Sequence, residues 1–168
     1  IGALLDPSAG MDQDSTGVEN IYLRGYVLGM SKSEIKRHID DIGVFTGLGD
    51  FLKLPLRTYS AGMSARLAFA ISTLIRPDIL LMDEGVAVGD AEFFDKMQAR
   101  LSEFVMGARI LVLASHNTSI INRFCTKRMT LNHGKIVSFE KIEPPVVKEP
   151  DTKKIENAAP IAVGGPRA

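Results

Sequence analysis

Two uninterrupted apolar runs, separated by a segment long enough for a helix, constrain the fold of this chain more than any other feature. They occupy residues 79–82 and 110–114, and such runs are typical of strands buried on both faces. The segment 91–105 between them has helical spacing, with an inward face predicted to comprise Phe94, Met97, Leu101 and Phe104. Two buried strands joined by a helix form a parallel βαβ unit, so the predicted fold class is α/β.

Three helices are predicted ahead of the first apolar run. The first two begin at Thr16 and Ser31, each followed three residues later by the glutamate of a capping box. The third follows Ser60 and ends before Pro77, because a proline disfavours helical geometry in the residue before it. Its predicted apolar face comprises Leu67, Ile71, Leu74 and Ile75.

The C-terminal part of the chain is predicted to be a short helix, a hairpin and a tail. The helix covers residues 119–124, and the hairpin has its turn at 132–135. Five of the eight prolines lie within 141–168, and this segment contains no aromatic residue. A segment of that composition buries little apolar surface, so we expect a flexible tail or linker there.

Composition and charge narrow the class of protein. Twenty Lys and Arg residues balance 20 Asp and Glu residues, which argues against a strongly basic nucleic-acid binder. Cys125 is the only cysteine, so no disulfide forms within the chain, and a reducing compartment is expected. No apolar run approaches the roughly 20 residues that a membrane-spanning helix needs.

The first chemically informative motif is Asp83-Glu84, which directly follows the first apolar run. Ligands of open α/β sheets bind beyond the carboxyl ends of the strands, so both carboxylates are predicted to face a ligand site. Such a pair suits two tasks: Asp83 holds Mg²⁺, usually through water, and Glu84 orients or activates a water. The alternative is that these are polar residues ending a buried strand.

Two further motifs lie at the start of the third predicted helix and at the end of the second apolar run. Ser60, Ala61 and Gly62 open the third predicted helix, whose unpaired N–H groups and dipole attract phosphate. An ordinary serine cap is the alternative there. His116 is predicted at the same sheet edge as Asp83, where its imidazole can donate a hydrogen bond to a terminal phosphate. The alternative is a histidine with a purely structural role.

The order and spacing of these motifs resemble the second half of an ABC-type ATPase domain. Ser60 precedes Asp83 by 23 residues (83 − 60), and His116 follows Asp83 by 33 (116 − 83). YSAGM at 59–63 resembles the signature motif, and ILLMDE at 79–84 resembles the Walker B strand with its glutamate. VGD at 88–90 resembles the D-loop, and SH at 115–116 resembles the switch-histidine motif.

Several sequence stretches resemble those of one group of ABC-type proteins, the ATPase subunits of polysaccharide exporters. These exporters move O-antigen, capsule or teichoic-acid chains across the cytoplasmic membrane. The stretches are YSAGM followed by RLAFA at 66–70, VGDAEF at 88–93 and TGVENIYLRG at 16–25. The resemblance implies a P-loop NTPase-like parallel sheet with an ABC-type helical subdomain. Residues 1–140 would form this partial ATPase domain, with the helical subdomain at 16–75, the remainder at 76–140, and the tail at 141–168.

Two features of that family are not found in the 168 residues. The P-loop, G-x-x-x-x-G-K-[ST], does not occur, and we expect its place before Ile1, so the chain resembles the C-terminal portion of the domain. The Q-loop glutamine is not evident either, and Gln13 is not expected to align with it. Without a P-loop, the chain is expected to bind ATP poorly or not at all by itself.

The resemblance implies that such domains work as head-to-tail dimers with ATP and Mg²⁺ between the subunits. Asp83 would serve Mg²⁺, Glu84 the attacking water, and His116 the γ-phosphate. Ser60, Ala61 and Gly62 would contact the ATP of the other subunit. Asp90 would reach across the interface between the subunits.

The implied partners are a second ATPase subunit and a transmembrane permease, with no nucleic acid. The helical part, 16–73, would dock on the permease, which places the chain at the cytoplasmic face of the cytoplasmic membrane. Two other classes remain open at this point. One is a non-catalytic interaction module that docks on a membrane or ATPase partner; the other is a soluble ABC-type ATPase that acts on nucleic acid or ribosomes.

Overall fold

The computed structural model describes residues 1–83 and 91–143, apart from the side chains at 91 and 92. The strands are β1 (Gly2–Leu4), β2 (Ile79–Met82), β3 (Ile110–Leu113), β4 (Lys127–Asn132) and β5 (Lys135–Lys141). The α-helices are α1 (Gly17–Val27), α2 (Lys32–Thr46), α3 (Ala61–Ser72), α4 (Ala91–Met106) and α5 (Thr118–Phe124). Two 3₁₀ turns, Gly49–Lys53 and Leu56–Thr58, separate α2 from α3.

A parallel sheet holds β1, β2 and β3 in that spatial order. In its register Leu4 lies beside Met82, and Met82 lies beside Leu113. This sheet confirms the α/β class and the parallel β2–α4–β3 unit. β1 is missing from the sequence prediction, because three residues are too few to show a period and its partner strand lies far along the chain.

The strands of this sheet are less buried than their apolar sequences predict. Side chains of β2 alternate between half-buried and buried, whereas those of β3 alternate between exposed and half-buried. Ile110 and Val112 are 54% and 55% exposed. The prediction that both faces are buried is therefore wrong for β3, because an apolar run marks surface that favours burial without determining what covers it.

The local signals for helix starts are confirmed at all three predicted positions. Thr16 and Ser31 cap α1 and α2 with complete capping boxes, and the side chain of Ser60 caps α3. Each cap supplies an acceptor for a backbone N–H that has no partner within the helix. These starts depend on neighbouring residues only, which is why the sequence reveals them.

The end of α3 differs from the prediction. The helix ends at Ser72, so Leu74 and Ile75, predicted on its apolar face, lie beyond it. The Thr73 hydroxyl donates to the carbonyl oxygen of Phe69 at 3.0 Å. Such a side-chain bond to the backbone competes with regular helical geometry and accompanies the early end.

The inward face of α4 is also corrected at one position. Phe94, predicted to point inward, is 44% exposed, whereas Phe93 is 3% exposed. Met97, Leu101 and Phe104 are buried as predicted. The ring of Phe93 meets the ring of Phe45 edge-on, with centroids 5.1 Å apart, so a contact from α2 decides which of two adjacent phenylalanines faces inward.

Two apolar clusters form the interior, one under the sheet and one among the first helices. The sheet cluster comprises Leu4, Phe69, Leu80, Met82, Phe93, Met97, Leu101, Phe104 and Val105. The helical cluster comprises Ile21, Ile35, Ile42, Leu48, Leu52, Leu56, Leu67, Ala70 and Ile71. Phe45 packs against both clusters, and the Arg100 guanidinium lies 4.4 Å from the centroid of its ring. The helices are thereby joined to the sheet.

The hairpin of β4 and β5 is confirmed, with an antiparallel register and a two-residue turn. His133 and Gly134 form the turn with φ angles of 46° and 76°. Positive φ at both central residues is the geometry of a tight hairpin turn that matches the strand twist. Except for its first three residues, the predicted tail 141–168 lies outside the described residues.

We expect acid to weaken the start of α1. The Glu19 carboxylate accepts from the Thr16 backbone N–H at 2.7 Å and from its hydroxyl at 2.8 Å. These bonds, the backbone one first, lower the pKa of Glu19 from its ordinary 4.5. A group whose pKa is lowered by folding stabilises the fold above its unfolded-state pKa, and this contribution is lost as the pH falls through the folded-state value.

The measurement is urea unfolding of the wild type and of Glu19→Gln at pH values on both sides of 4.5. The variant should lose less unfolding free energy than the wild type as the pH falls. Glu103→Gln, on an exposed position of α4, removes a carboxylate away from the α1 cap and is the matched control. Equal pH dependence in Glu19→Gln and in the wild type would contradict this prediction.

Candidate functional site

The carboxyl ends of the three parallel strands bring the predicted site residues to one edge of the sheet. The backbone N–H of Asp83 donates to the carbonyl oxygen of Leu4 at 3.4 Å, and that of Ala114 donates to Met82 at 2.9 Å. Asp83 and His116 therefore follow neighbouring strands at the same end, and both are exposed. The structure brings these two predicted residues to the same edge.

A tight turn after β3 holds His116 in place. Ser115 Oγ accepts from the backbone N–H of Asn117 at 2.9 Å, across His116. Asn117 Oδ1 then accepts from the N–H of Ser119 at 3.0 Å and caps α5. Because both neighbours of His116 are fixed by hydrogen bonds, its backbone is held at the rim of the sheet.

The sequence prediction missed a further carboxylate near this edge. Asp6 lies two residues beyond Leu4, the last residue of β1. Its Oδ1 accepts from the Ser8 hydroxyl at 2.6 Å and from the Ser8 N–H at 2.9 Å. The hydroxyl bond is the main cause that lowers the pKa of Asp6, so the group stays ionised. The short apolar run before it, Ala3-Leu4-Leu5, is the one signal that could have revealed it.

Two predicted site residues, Glu84 and Asp90, lie outside the described residues. Their proposed roles therefore depend on the sequence alone. The same holds for the D-loop stretch at 88–90, which is also outside the described residues.

Ser60, Ala61 and Gly62 form the first turn of α3. Ser60 Oγ accepts from the backbone N–H of Met63 at 3.2 Å, so the hydroxyl oxygen serves as the helix cap. Ser60 and Ala61 are exposed and Gly62 is half-buried. A Cβ added at Gly62 would have Ser60 Oγ as its nearest neighbour, at 3.9 Å, so packing within the described residues does not require glycine here.

The loop that leaves β1 is bound to the segment that leads into α3. Arg57 N–H donates to the carbonyl oxygen of Gln13 at 2.9 Å, Leu56 N–H donates to Ser15 at 3.0 Å, and Gly17 N–H donates to Leu54 at 3.2 Å. These bonds run along 13–17 and 54–57 as an isolated antiparallel bridge. One end of this loop begins at the sheet edge and the other abuts the approach to Ser60.

The chemistry of the edge fits a nucleotide phosphate with its cation. Among residues 1–83 and 91–143, no cluster of three or more His, Cys, Asp or Glu side chains is placed to hold a metal ion. A site with few carboxylates still suits Mg²⁺, which keeps several waters and takes one or two carboxylates besides substrate phosphates. Asp83 fits that requirement, and His116 can donate a hydrogen bond to a phosphate oxygen.

No helix within the described parts of the chain is both long and apolar enough to cross a membrane. The longest, α4, has 16 residues and carries charged side chains along its length.

Comparisons with known proteins yield clear relatives, although no protein-family profile matches the chain. The chain is 43% identical over 136 residues to the O-antigen export system ATP-binding protein RfbE of Yersinia enterocolitica. It is 41% identical over 136 residues to RfbB of Myxococcus xanthus, which has the same description, and 40% identical over 141 residues to the teichoic acids export ATP-binding protein TagH of Bacillus anthracis.

The matches cover most of this chain but only part of each relative. The match to the Yersinia protein covers 81% of this chain and 57% of that protein. The corresponding shares are 81% and 31% for the Myxococcus protein, and 84% and 26% for the Bacillus protein. The chain therefore spans little more than half the length of the Yersinia protein and less of the other two.

Solved structures show the same fold. The ATP-binding subunit of an ABC transporter superposes with a TM-score of 0.64 and 22% identity, covering 78% of this chain and 55% of that one. A dimeric ATP-binding cassette, MJ0796 bound to ADP and Pi, gives a TM-score of 0.62 and 20% identity, covering 84% and 62%. These similarities support the fold class inferred from the sheet.

Proposed function

We infer from these relatives that this chain is part of an ABC-type export ATP-binding protein, and we propose that it is a partial ATP-binding and ATP-hydrolysing subunit of a polysaccharide exporter. The observation that carries the proposal is the shared sheet edge, where Asp83 and His116 follow neighbouring parallel strands. Ligands of such sheets bind beyond this edge, and both residue types suit a nucleotide phosphate. The relatives support O-antigen, teichoic acid or a similar polymer as the exported material.

The roles proposed at the sheet edge follow from the chemistry of each side chain. Mg²⁺, when bound with ATP, neutralises charge on the phosphates. Asp83 is proposed to hold that ion through an oxygen or a bound water. Glu84 is proposed to orient the attacking water, and His116 to donate a hydrogen bond to the terminal phosphate.

The start of α3 is proposed to act on the nucleotide of a second subunit. The exposed first turn of α3 presents backbone N–H groups at the positive end of the helix dipole, which favours an anion. Ser60, Ala61 and Gly62 are the residues of this turn, and Asp90 is proposed to cross the interface between subunits. A dimer with ATP at its interface requires such a contribution from each subunit.

The proposed partners are a second ATPase subunit and a transmembrane permease, at the cytoplasmic face of the cytoplasmic membrane. The domain division proposed with them places the helical subdomain at 16–75 and the remaining ATPase part at 76–140. The separate helical cluster of α1, α2 and α3 supports a unit that can contact the permease. The flexible tail at 141–168 stays a prediction, because residues 144–168 lie outside the described residues.

A second candidate function is a non-catalytic module that docks on a membrane or ATPase partner. One observation favours it: the apolar side chains Ile110 and Val112 of β3 are more than half exposed. Exposed apolar side chains on a strand suit contact with another polypeptide.

Nucleotide binding distinguishes the two candidates. We expect the chain alone to bind Mg-ATP more weakly than about 1 μM, because the backbone cradle for the phosphates is missing from its sequence. Joined to a segment that carries the P-loop, the chain should bind and hydrolyse ATP. Isothermal titration calorimetry and a phosphate-release assay measure these two results.

Each result of that experiment has a distinct meaning. Micromolar binding by the chain alone would contradict the expectation that the P-loop is needed. ATP binding without hydrolysis in the joined protein would contradict the catalytic proposal and favour the docking module.

A further inference from the structure

The hydroxyl of Tyr59 lies where three segments of the helical part meet. Tyr59 directly precedes Ser60, the cap of α3, and its hydroxyl donates to the carbonyl oxygen of Phe51 at 2.6 Å. Phe51 belongs to the 3₁₀ turn Gly49–Lys53. The ring is half-buried, and burial raises the pKa of the Tyr59 phenol, so it stays protonated as a donor.

The third segment is the start of α1, which approaches the same hydroxyl at Gly17. A Cβ added to Gly17 would collide with the Tyr59 hydroxyl oxygen and would lie 3.1 Å from the Cα of Leu52. Gly17 is buried and is the first residue of α1. Glycine is therefore the residue that lets α1 and the Tyr59 side chain come this close.

The backbone around this contact links α3 to the sheet edge. Residues 13–17 and 54–57 are bridged by hydrogen bonds from Leu56 to Ser15 and from Arg57 to Gln13. Arg57 Nη1 also contacts Asp14 Oδ1 at 2.7 Å, but both side chains are mostly exposed, so this ion pair contributes little. The hydroxyl of Tyr59 adds a side-chain contact to the backbone bridge.

We propose that Tyr59 is a positioning residue that holds the first turn of α3, and with it Ser60, against the 3₁₀ turn Gly49–Lys53 and the start of α1. The Ser60 cap fixes only the geometry within α3, because its oxygen accepts from Met63 in the same helix. The Tyr59 hydroxyl sets where that helix start lies relative to the rest of the chain. This inference rests on the proposed function for the meaning of Ser60, but its structural part stands on the contacts alone.

The first test compares Tyr59→Phe, Gly17→Ala and the double variant by amide hydrogen exchange in the isolated chain. The reporters are the N–H groups of Met63 and Ser64, which bond to the Ser60 side chain and carbonyl. Loss of one hydrogen bond to a half-buried group should speed their exchange about fivefold in Tyr59→Phe. Tyr26→Phe, on a ring that is 51% exposed on α1, is the matched control and should leave exchange unchanged.

The double variant makes the test specific to this contact. Gly17→Ala should speed exchange more than Tyr59→Phe, because its methyl group displaces the hydroxyl. Removing the hydroxyl as well makes room for that methyl, so the double variant should exchange more slowly than Gly17→Ala alone. The proposal would be overturned if the two substitutions had additive effects on the exchange rates in the double variant. It would also be overturned if Tyr59→Phe left those rates unchanged.

A kinetic measurement then separates positioning from simple stabilisation. In the protein joined to a P-loop segment, Tyr59→Phe should raise the KM for ATP about fivefold, whereas Tyr26→Phe should leave it unchanged. If Tyr59→Phe altered the amide exchange rates but left the KM for ATP unchanged, the positioning role of Tyr59 would be overturned. If the wild-type joined protein hydrolyses no ATP, the proposed function fails, while the exchange experiment still decides how α3 is held.

Discussion

Replacing His116 by alanine should lower ATP hydrolysis about 10²- to 10³-fold in the protein joined to a P-loop segment, the range expected for losing one donor to developing charge. His116 is exposed at the carboxyl edge of the sheet, and hydrogen bonds at Ser115 and Asn117 fix the turn around it. In the role proposed for His116, an imidazole N–H at this edge would donate to a phosphate oxygen. Single-turnover phosphate release measures the effect, and titration calorimetry should show that ATP binding changes much less.

His133→Asn is the matched control for this experiment. His133 occupies the hairpin turn between β4 and β5 with a φ of 46°, a conformation that asparagine tolerates. We expect hydrolysis by His133→Asn to equal that of the wild type. Equal hydrolysis in His116→Ala and in the wild type would contradict the catalytic role of His116, and so would a parallel loss in both variants.

Adding one methyl group at Gly25 should destabilise the chain by about 1–3 kcal/mol, the usual cost of overpacking a filled core. Gly25 is buried on α1, and a Cβ there would lie 2.6 Å from Cγ1 and 2.7 Å from Cδ1 of Ile35. Ile35 is fully buried in α2, so its side chain has little room to move. Urea unfolding of Gly25→Ala against the wild type measures the loss.

Gly43→Ala, one helix further along, is the matched control and should have the opposite sign. Its Cβ would lie 3.5 Å from Leu52 Cδ1, an ordinary contact distance. Alanine in a helix interior is favoured over glycine by roughly 0.5–1 kcal/mol, so the variant should be slightly more stable. Equal changes in Gly25→Ala and Gly43→Ala would show that the α1–α2 contact is looser than the structure indicates.

The features that the sequence predicted well depend on residues close together in the chain. The capping boxes at Thr16 and Ser31 satisfy backbone groups within one helical turn, and both helices begin there. The hairpin turn at His133 and Gly134 is equally local. The two apolar runs predicted a pair of parallel strands, and their ends placed Asp83 and His116 at one edge, because parallel strands share an orientation.

The features that the sequence did not predict depend on segments far apart in the chain. β1 is recognisable only once it pairs with β2, and Phe93 faces inward in place of Phe94 because Phe45 of α2 packs against it. The exposure of β3 likewise depends on what packs over it rather than on its own residues.

The sequence by itself therefore determined the local elements, the α/β class and the order of the motifs. Only the tertiary structure decided which side chains meet, as Tyr59 meets Phe51 and approaches Gly17. The physical reason is that capping and strand patterns arise from interactions between near neighbours, whereas such contacts appear only after the chain has closed its loops and packed its core.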